Sequence, residues 1–163
     1  MKIFAGLWLM AAYGLLLLPV AQAEPTEHFK EWVQDCSKQA DGKRACHIFQ
    51  NVTDHNTGEV MLRAEVGYIP GGNKALLLIT VPLGVALRTG LELQIDSAKP
   101  RRMLFDVCAR DGCRAATQMD VGLIRAMKRG GVARVTISNL AGRSLVVPVS
   151  LSGFTKGLGS LSP

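Results

Sequence analysis

Four cysteines are the residues of this chain whose spacing most directly suggests chemistry. Cys36 and Cys46 have nine residues between them, and Cys108 and Cys113 have four. Zinc motifs prefer two to four intervening residues in both ligand pairs, and redox-active pairs usually have two. Residues 1–23 have the pattern of a signal peptide, and an even number of cysteines in an exported chain indicates disulfides instead. We therefore predict that all four cysteines form structural disulfides.

The pairing of these cysteines follows from what lies between them. Four cysteines allow three pairings, and we favour the local one, in which Cys36 joins Cys46 and Cys108 joins Cys113. Each of the two short loops contains a dipeptide that favours a turn, Asp41-Gly42 and Asp111-Gly112. Disulfides that close loops of this length stabilise a protein by roughly 2–3 kcal/mol each in the chain-entropy description.

The remaining nucleophiles and bases offer little support for catalysis. His28, His47 and His55 lack the spacing at which zinc motifs place their ligands. Ser150 and Ser152 are not set in the strained strand-to-helix turn that exposes a hydrolase nucleophile. We therefore predict a non-enzymatic protein with no catalytic residue, no metal site and no cofactor.

Charge is spread unevenly along the chain. Residues 24–96 contain seven Lys or Arg and ten Asp or Glu, a net charge of −3, whereas residues 97–143 contain ten and three, a net charge of +7. Such a basic region favours encounter with anionic partners, which outside the cytoplasm are proteins, lipid head groups, lipopolysaccharide phosphates or sulfated glycans. Nucleic acid is not expected there, and aromatic residues for base stacking are few. The candidate binding residues are Lys99, Arg101, Arg102, Arg125, Lys128 and Arg129. The alternative is a solvated basic face without a partner.

One amphipathic segment is predicted to carry three of these cations on a helix. Asp120 is suited to cap its N-terminus, cations in its last turn complement the helix dipole, and Gly130-Gly131 end it. The spacing of the apolar residues predicts one buried stripe, made of Val121, Leu123, Ile124 and Met127.

The other elements are predicted to be strands. Short alternating or apolar segments separated by turn residues are typical of a β-sandwich or barrel. Trp32 and Phe154 are expected in its core, because aromatic residues carry much of the buried area of a small domain. A loose helical tail is expected over 152–161. The predicted strands cover 31–36, 44–53, 59–69, 75–81, 92–96, 103–108, 114–119, 132–139 and 144–151.

The first 23 residues have the pattern of a cleavable signal peptide. Lys2 is their only charge, residues 3–20 are mostly apolar, Pro19 breaks the helix, and Ala21-Gln22-Ala23 matches a signal peptidase site. A membrane anchor is the alternative, since the apolar run approaches the length that spans a bilayer. We predict cleavage, which leaves residues 24–163 as one disulfide-stapled domain without a transmembrane segment, located in the periplasm or at the outer membrane.

Five blocks of residues, in this order and behind a signal peptide, resemble the invasion-associated locus B family of exported proteins of Gram-negative bacteria. The resemblance covers nearly all of the chain after residue 23. The blocks are Trp32-x-x-x-Cys36 with Cys46 and Gln50; Val81-Pro82-Leu83-Gly84-Val85 with Gly90 and Gln94-Ile95-Asp96; Cys108-x-x-x-Gly112-Cys113; Met127-Lys128-Arg129-Gly130; and Pro148-Val149-Ser150-Leu151-x-Gly153-Phe154.

The resemblance implies an immunoglobulin-like β-sandwich, to which the residue pattern adds one short helix before the last hairpin and a short helical tail. It also implies a periplasmic or outer-membrane location and, in pathogens, a link to entry into host cells. It implies no reaction and no cofactor, and it transfers no binding residues. A periplasmic accessory or envelope-stress protein is the alternative function.

Overall fold

The computed structural model describes residues 26–39, 42–69 and 71–161, which form eleven strands and two helices. The predicted signal segment, residues 1–23, and the turn residue Asp41 lie outside the described residues. The elements are β1 Glu27–Phe29, β2 Trp32–Lys38, β3 Arg44–Thr53, β4 Val60–Tyr68, β5 Ala75–Val81, β6 Leu91–Ile95, β7 Arg101–Met103, β8 Val107–Ala109, β9 Gly112–Gln118, α1 Val121–Arg129, β10 Val132–Ser138, β11 Ser144–Ser150 and α2 Phe154–Ser160.

The strands form two sheets that enclose one hydrophobic core. The larger sheet has the strand order β1-β2-β3-β4-β5-β9-β8, and the smaller has the order β11-β10-β6-β7. Neighbouring strands in both sheets are antiparallel. This arrangement confirms the all-β sandwich predicted from the sequence, with a helix before the last hairpin and a second helix at the end of the chain.

Alternation along the strands decides which side chains enter the core. In β5 the buried positions are Ala75, Leu77, Ile79 and Val81, while the residues between them are half-buried on the outer face. Successive side chains of a strand point to opposite faces of a sheet, so one apolar run supplies both faces. In the smaller sheet, Leu93, Val135 and Val147 lie side by side on three neighbouring strands and are all buried.

Helix α1 connects β9 of the larger sheet to β10 of the smaller. The amide of Leu123 donates a hydrogen bond of 2.6 Å to Oδ1 of Asp120, which caps the helix as predicted. Leu123 and Met127 are buried, but Val121 is 71% exposed. The predicted apolar stripe was therefore wrong at Val121, because at 3.6 residues per turn Val121 lies on the side of the helix that faces away from the buried Leu123 and Met127. Gly130 ends the helix where a Cβ atom would lie 2.7 Å from Ile95 and 2.9 Å from Asp96.

Helix α2 is a packed element, whereas the sequence predicted a loose tail. It contacts β1, β2 and α1. Phe154 is fully buried against Trp32, with 5.3 Å between the ring centroids in an edge-to-face arrangement. This confirms the prediction that both aromatic residues are core residues. Gly153 is required before the helix because its φ is 94° and a Cβ atom would lie 1.7 Å from the carbonyl oxygen of Phe29.

The predicted strand over 103–108 was wrong, because this segment changes sheets. β7 pairs with β6 in the smaller sheet and ends at the buried Met103. β8 begins at Val107 and pairs with β9 in the larger sheet. Between them, the carboxylate of Asp106 accepts a hydrogen bond of 2.8 Å from the amide of Ala116, which holds the crossing chain against β9.

Both disulfides join directly paired residues of adjacent strands in the larger sheet. Cys36 is bonded to Cys46 across β2 and β3, and Cys108 is bonded to Cys113 across β8 and β9. This is the local pairing favoured from the sequence. Within the described residues, no helix is long and apolar enough to cross a membrane.

Candidate functional site

The exposed side of α1 carries a group of three cations. Arg125, Lys128 and Arg129 are exposed, and none makes a side-chain hydrogen bond or ion pair within the described residues. Leu123 and Met127 hold the opposite side of the helix in the core. Because the helix is anchored by its buried side, the three cations project from a rigid support.

Two further cations lie beside α1. A hollow of about 330 Å³ separates the helix from the loop between β6 and β7, with Lys99 and Arg101 on the loop side and Leu123 and Ala126 on the helix side. We call the group formed by Lys99, Arg101, Arg125, Lys128 and Arg129 the basic surface.

Arg101 is the member of the basic surface that is fixed by an ion pair. Its Nη1 atom donates to Oδ2 of Asp120 at 2.6 Å, so β7 is tied to the N-terminus of α1. This guanidinium and the amide of Leu123 hold the pKa of Asp120 below its ordinary value of 3.8. The pair neutralises part of the charge of Arg101, whereas the other four cations form no ion pair with a described residue.

Arg102, the sixth predicted binding residue, is placed apart from the basic surface. Side chains alternate along β7, and Arg102 lies opposite Glu92 on the outer face of the smaller sheet. Its guanidinium donates to the carbonyl oxygens of Arg88 and Thr89, at 2.6 Å and 2.8 Å. Arg102 therefore holds the chain before β6 in place, and its donors are partly used within the protein.

The outer face of the larger sheet carries a network that the sequence did not indicate. The guanidinium of Arg63 lies 3.7 Å from the ring centroid of Phe49. Its Nε atom is 3.2 Å from Oε1 of Glu65, and its Nη1 atom donates to Asn51 at 3.3 Å. These residues meet because β3 and β4 are paired, so a strand register would have been needed to find them.

An open hollow of about 690 Å³ adjoins this network. Arg63, Arg110 and Arg114 line it together with the acidic Glu65 and Asp111. Arg114 is paired with Asp111, and Arg63 with Glu65. With two of its three arginines neutralised, this hollow is a weaker anion site than the basic surface.

The histidines do not assemble a reactive centre. The buried Nε2 atom of His47 has no hydrogen-bond partner among the described residues and lies 3.4 Å from Oε1 of Glu65. His28 lies in β1, and His55 lies in the turn after β3. In the described part of the chain, no three side chains of His, Cys, Asp or Glu lie close enough together to hold a metal ion.

Several residues of the motif blocks meet in one structural joint. Gln50, a buried polar residue of β3, donates to the carbonyl oxygens of Glu31 and Ser150 at 3.2 Å and 3.1 Å and accepts from the amide of Ser150 at 2.9 Å. The indole N–H of Trp32 also donates to the carbonyl oxygen of Ser150 at 2.9 Å. These groups join the two sheets, which gives the motif residues a role in the fold and leaves binding to other residues.

Comparison with known proteins gives one consistent result. The model of the family described as Invasion associated locus B protein matches residues 32–162. The chain is 29% identical over 156 residues to the invasion protein B homologs of Brucella abortus strain 2308 and of B. abortus biovar 1 strain 9-941, which covers 95% of this chain and 88% of each relative. The crystal structure of invasion associated protein B from Bartonella henselae matches with a TM-score of 0.74 at 22% identity, covering 83% of this chain and 92% of that one.

Proposed function

Because the chain belongs to the invasion-associated locus B family, whose model matches residues 32–162, we propose that it is an exported, non-enzymatic envelope protein. It binds an anionic partner through the basic surface. The observation that carries this proposal is the placement of Arg125, Lys128 and Arg129 on one exposed helix side, where none has a carboxylate partner in the described residues.

Export is the second part of the proposal. The signal pattern of residues 1–23 and two disulfides within the remaining chain support it, since disulfides persist in oxidising compartments. Cleavage after Ala23 leaves residues 24–163 as one domain in the periplasm or at the outer membrane.

The partner is defined by its chemistry. A rigid group of cations without internal partners attracts phosphate, sulfate or carboxylate groups and raises the rate of encounter with them. Outside the cytoplasm such groups occur on lipopolysaccharide, on sulfated glycans of a host surface and on acidic proteins. The names of the Brucella and Bartonella relatives refer to invasion, so a host-surface partner is the form of this proposal that applies in a pathogen.

Charge reversal of α1 tests the binding proposal. We expect the Arg125→Glu, Lys128→Glu, Arg129→Glu variant to elute from immobilised heparin, a sulfated glycan, at a clearly lower salt concentration than the unsubstituted protein. Attraction between exposed charges is screened by salt, so the elution point reports the strength of the contact. Circular dichroism and the unfolding midpoint show whether the fold is kept.

A matched control carries the same change of charge elsewhere. Lys38→Glu, Lys43→Glu and Arg110→Glu alter three exposed cations that lie on β2, on the β2–β3 turn and on the β8–β9 turn. We expect a small shift in elution from this variant. Equal shifts for both variants would mean that heparin senses net charge alone, and the basic surface would then not be a site.

Protease treatment of intact cells tests the location. Loss of the protein while a periplasmic marker survives supports display at the cell surface and the host-contact form of the proposal. Protection until the outer membrane is opened supports the alternative function, a periplasmic accessory protein that binds an envelope component. Retention in the cytoplasmic fraction contradicts export.

A further inference from the structure

Exposed apolar side chains are concentrated at one end of the sandwich. Ten large hydrophobic residues are exposed in the described part of the chain, and six of them surround the loops 82–90 and 139–143. Single exposed apolar residues are ordinary, whereas a concentration at one place marks an interaction site. We call this group the leucine end; it consists of Val60, Leu83, Leu87, Leu104, Leu140 and Leu145.

The most exposed of these residues stands at the tip of a rigid turn. Leu140 is 82% exposed between β10 and β11. The amide of Gly142 donates to the carbonyl oxygen of Asn139 at 3.0 Å, and Oδ1 of Asn139 accepts from the amides of Ala141 and Arg143 at 3.0 Å each. Turn tips usually carry polar residues or glycine, so a leucine held outward there is not explained by folding.

A second leucine is presented by the neighbouring loop. Leu87 occupies a turn in which the amide of Thr89 donates to the carbonyl oxygen of Ala86 at 3.2 Å. The amide of Ala86 donates to Ser138 at 2.8 Å, which attaches this turn to the end of β10. Arg102 clamps the same turn from its other side through two carbonyl oxygens. The leucine-bearing turns are thus fixed to each other and to the smaller sheet.

The two leucine-bearing turns carry only positive charge, whereas the acidic residues of this end, Glu59 and Asp106, lie beside Val60 and Leu104. Residues 82–91 contain Arg88 and residues 138–149 contain Arg143, and neither segment contains an aspartate or a glutamate. Leucine side chains flanked by arginines suit the boundary of a bilayer, where acyl chains lie beneath phosphate groups. A groove for a peptide would gather the apolar residues in one cleft. A hollow of about 290 Å³ is lined by Leu83 and Leu145, but Leu87 and Leu140 lie outside its lining and project from separate turns.

We propose that the leucine end docks on the surface of a phospholipid bilayer that contains anionic lipids. The leucines of the turns enter the region between head groups and acyl chains, and Arg88 and Arg143 contact lipid phosphates. This inference does not depend on the partner of the basic surface, because α1 and the leucine end lie at opposite ends of β10. The strand has seven residues, which at about 3.3 Å each separate the two sites by roughly 20 Å.

A tryptophan placed at the tip tests the proposal locally. The exported form of the protein is purified, and mass spectrometry identifies its N-terminus. The tryptophan fluorescence of the unsubstituted protein is subtracted from that of each variant. We expect the emission maximum of the tryptophan in Leu140→Trp to shift to shorter wavelength when vesicles of phosphatidylcholine with phosphatidylglycerol are added. We also expect brominated acyl chains to quench this emission. The matched control is Val121→Trp at the α1 end, where Val121 is 71% exposed against 82% for Leu140, and its emission is expected to stay unshifted.

Removal of the leucines gives a second measurement. We expect the Leu83→Ser, Leu87→Ser, Leu140→Ser variant to partition into the same vesicles at least about tenfold more weakly in a flotation assay, since each loses apolar area that enters the bilayer. The changes lie at exposed positions, so the unfolding midpoint is expected to remain within a few degrees.

Several results would overturn the proposal. One is an emission shift for Val121→Trp but not for Leu140→Trp, and another is no shift for either variant. The third is a serine variant that partitions into vesicles as strongly as the unsubstituted protein. A shift of Leu140→Trp that grows with protein concentration in the absence of vesicles would assign the leucine end to contact between copies of the chain. None of these results bears on heparin elution, so failure here is distinguishable from failure of the proposed function.

Discussion

At the scale of single residues, Gln50 shows how a polar side chain can specify this sandwich. It is buried, yet its amide group makes three hydrogen bonds to Glu31 and Ser150. Ser150 lies at the end of β11, an edge strand of the smaller sheet. Gln50 and Trp32 satisfy the backbone groups of Ser150 that face away from β10. The edge is therefore closed by side chains at this point, where it could otherwise pair with another chain.

We expect Gln50→Leu to lower the free energy of unfolding by about 2–4 kcal/mol, because it removes the hydrogen bonds to the carbonyl oxygen of Glu31 and the amide of Ser150 at this partly buried joint, while Trp32 still donates to the carbonyl oxygen of Ser150. Urea denaturation monitored by circular dichroism measures the change. Gln118→Leu is the matched control at an exposed position of β9, where a change within about 0.5 kcal/mol is expected. Similar losses in both variants would show that the joint contributes nothing specific.

At the scale of elements, the sequence predicted what depends on local pattern. The N-terminal cap, the basic last turn and the terminal glycine of α1 are local features, and the structure confirms the prediction of each. The alternation from Glu59 to Ile69 also identified β4 and its partner β3. The break within 103–108 depends on contacts with strands distant in sequence, so a local apolar pattern could not reveal it. The same reason explains why α2 was predicted as loose, since its packing partners Trp32 and Phe29 lie more than a hundred residues earlier.

The pH dependence of α1 follows from its cap. The pKa of Asp120 is lowered by Arg101 and by the amide of Leu123, so its charged form is the one that stabilises the folded state. That contribution is present above the ordinary value of 3.8 and is lost as the pH falls through the lowered pKa. We expect Asp120→Ala to lower the urea midpoint at pH 7, and the difference from the unsubstituted protein to shrink as the pH falls below about 4.

Asp120→Ser separates the two interactions of this residue. A serine can accept the cap hydrogen bond but cannot form the ion pair. We expect its midpoint at pH 7 to lie between those of the other two proteins, with a weaker dependence on pH. A difference between Asp120→Ala and the unsubstituted protein that stays constant from pH 7 to pH 3 would contradict this account.

At the scale of the whole molecule, the fold gathers cations at one end of the sandwich and exposed leucines at the other. The excess of cations in residues 97–143 was visible in the sequence, but only the fold shows that Lys99 and Arg101 join α1 while Arg102 turns away. The leucine end is indicated more weakly by the sequence, which shows only a leucine in each of several turn segments. Its members come from loops between different strands, so their convergence could not be predicted without the sheet order.

Two separate ends imply independent binding. We expect the serine variant of Leu83, Leu87 and Leu140 to elute from heparin at the salt concentration of the unsubstituted protein, because the basic surface is intact. Conversely, we expect the tryptophan emission of Leu140→Trp to keep its blue shift on vesicles when Arg125, Lys128 and Arg129 are changed to Glu. Sites roughly 20 Å apart along a strand share no contacts, so their effects should add in free energy. A protein that combines the serine and the glutamate substitutions should lose as much heparin affinity and as much partitioning into vesicles as the two separate variants do. A loss of the shift in the charge-reversed protein would mean that α1 guides the contact with the bilayer, and the two ends would then form one functional surface.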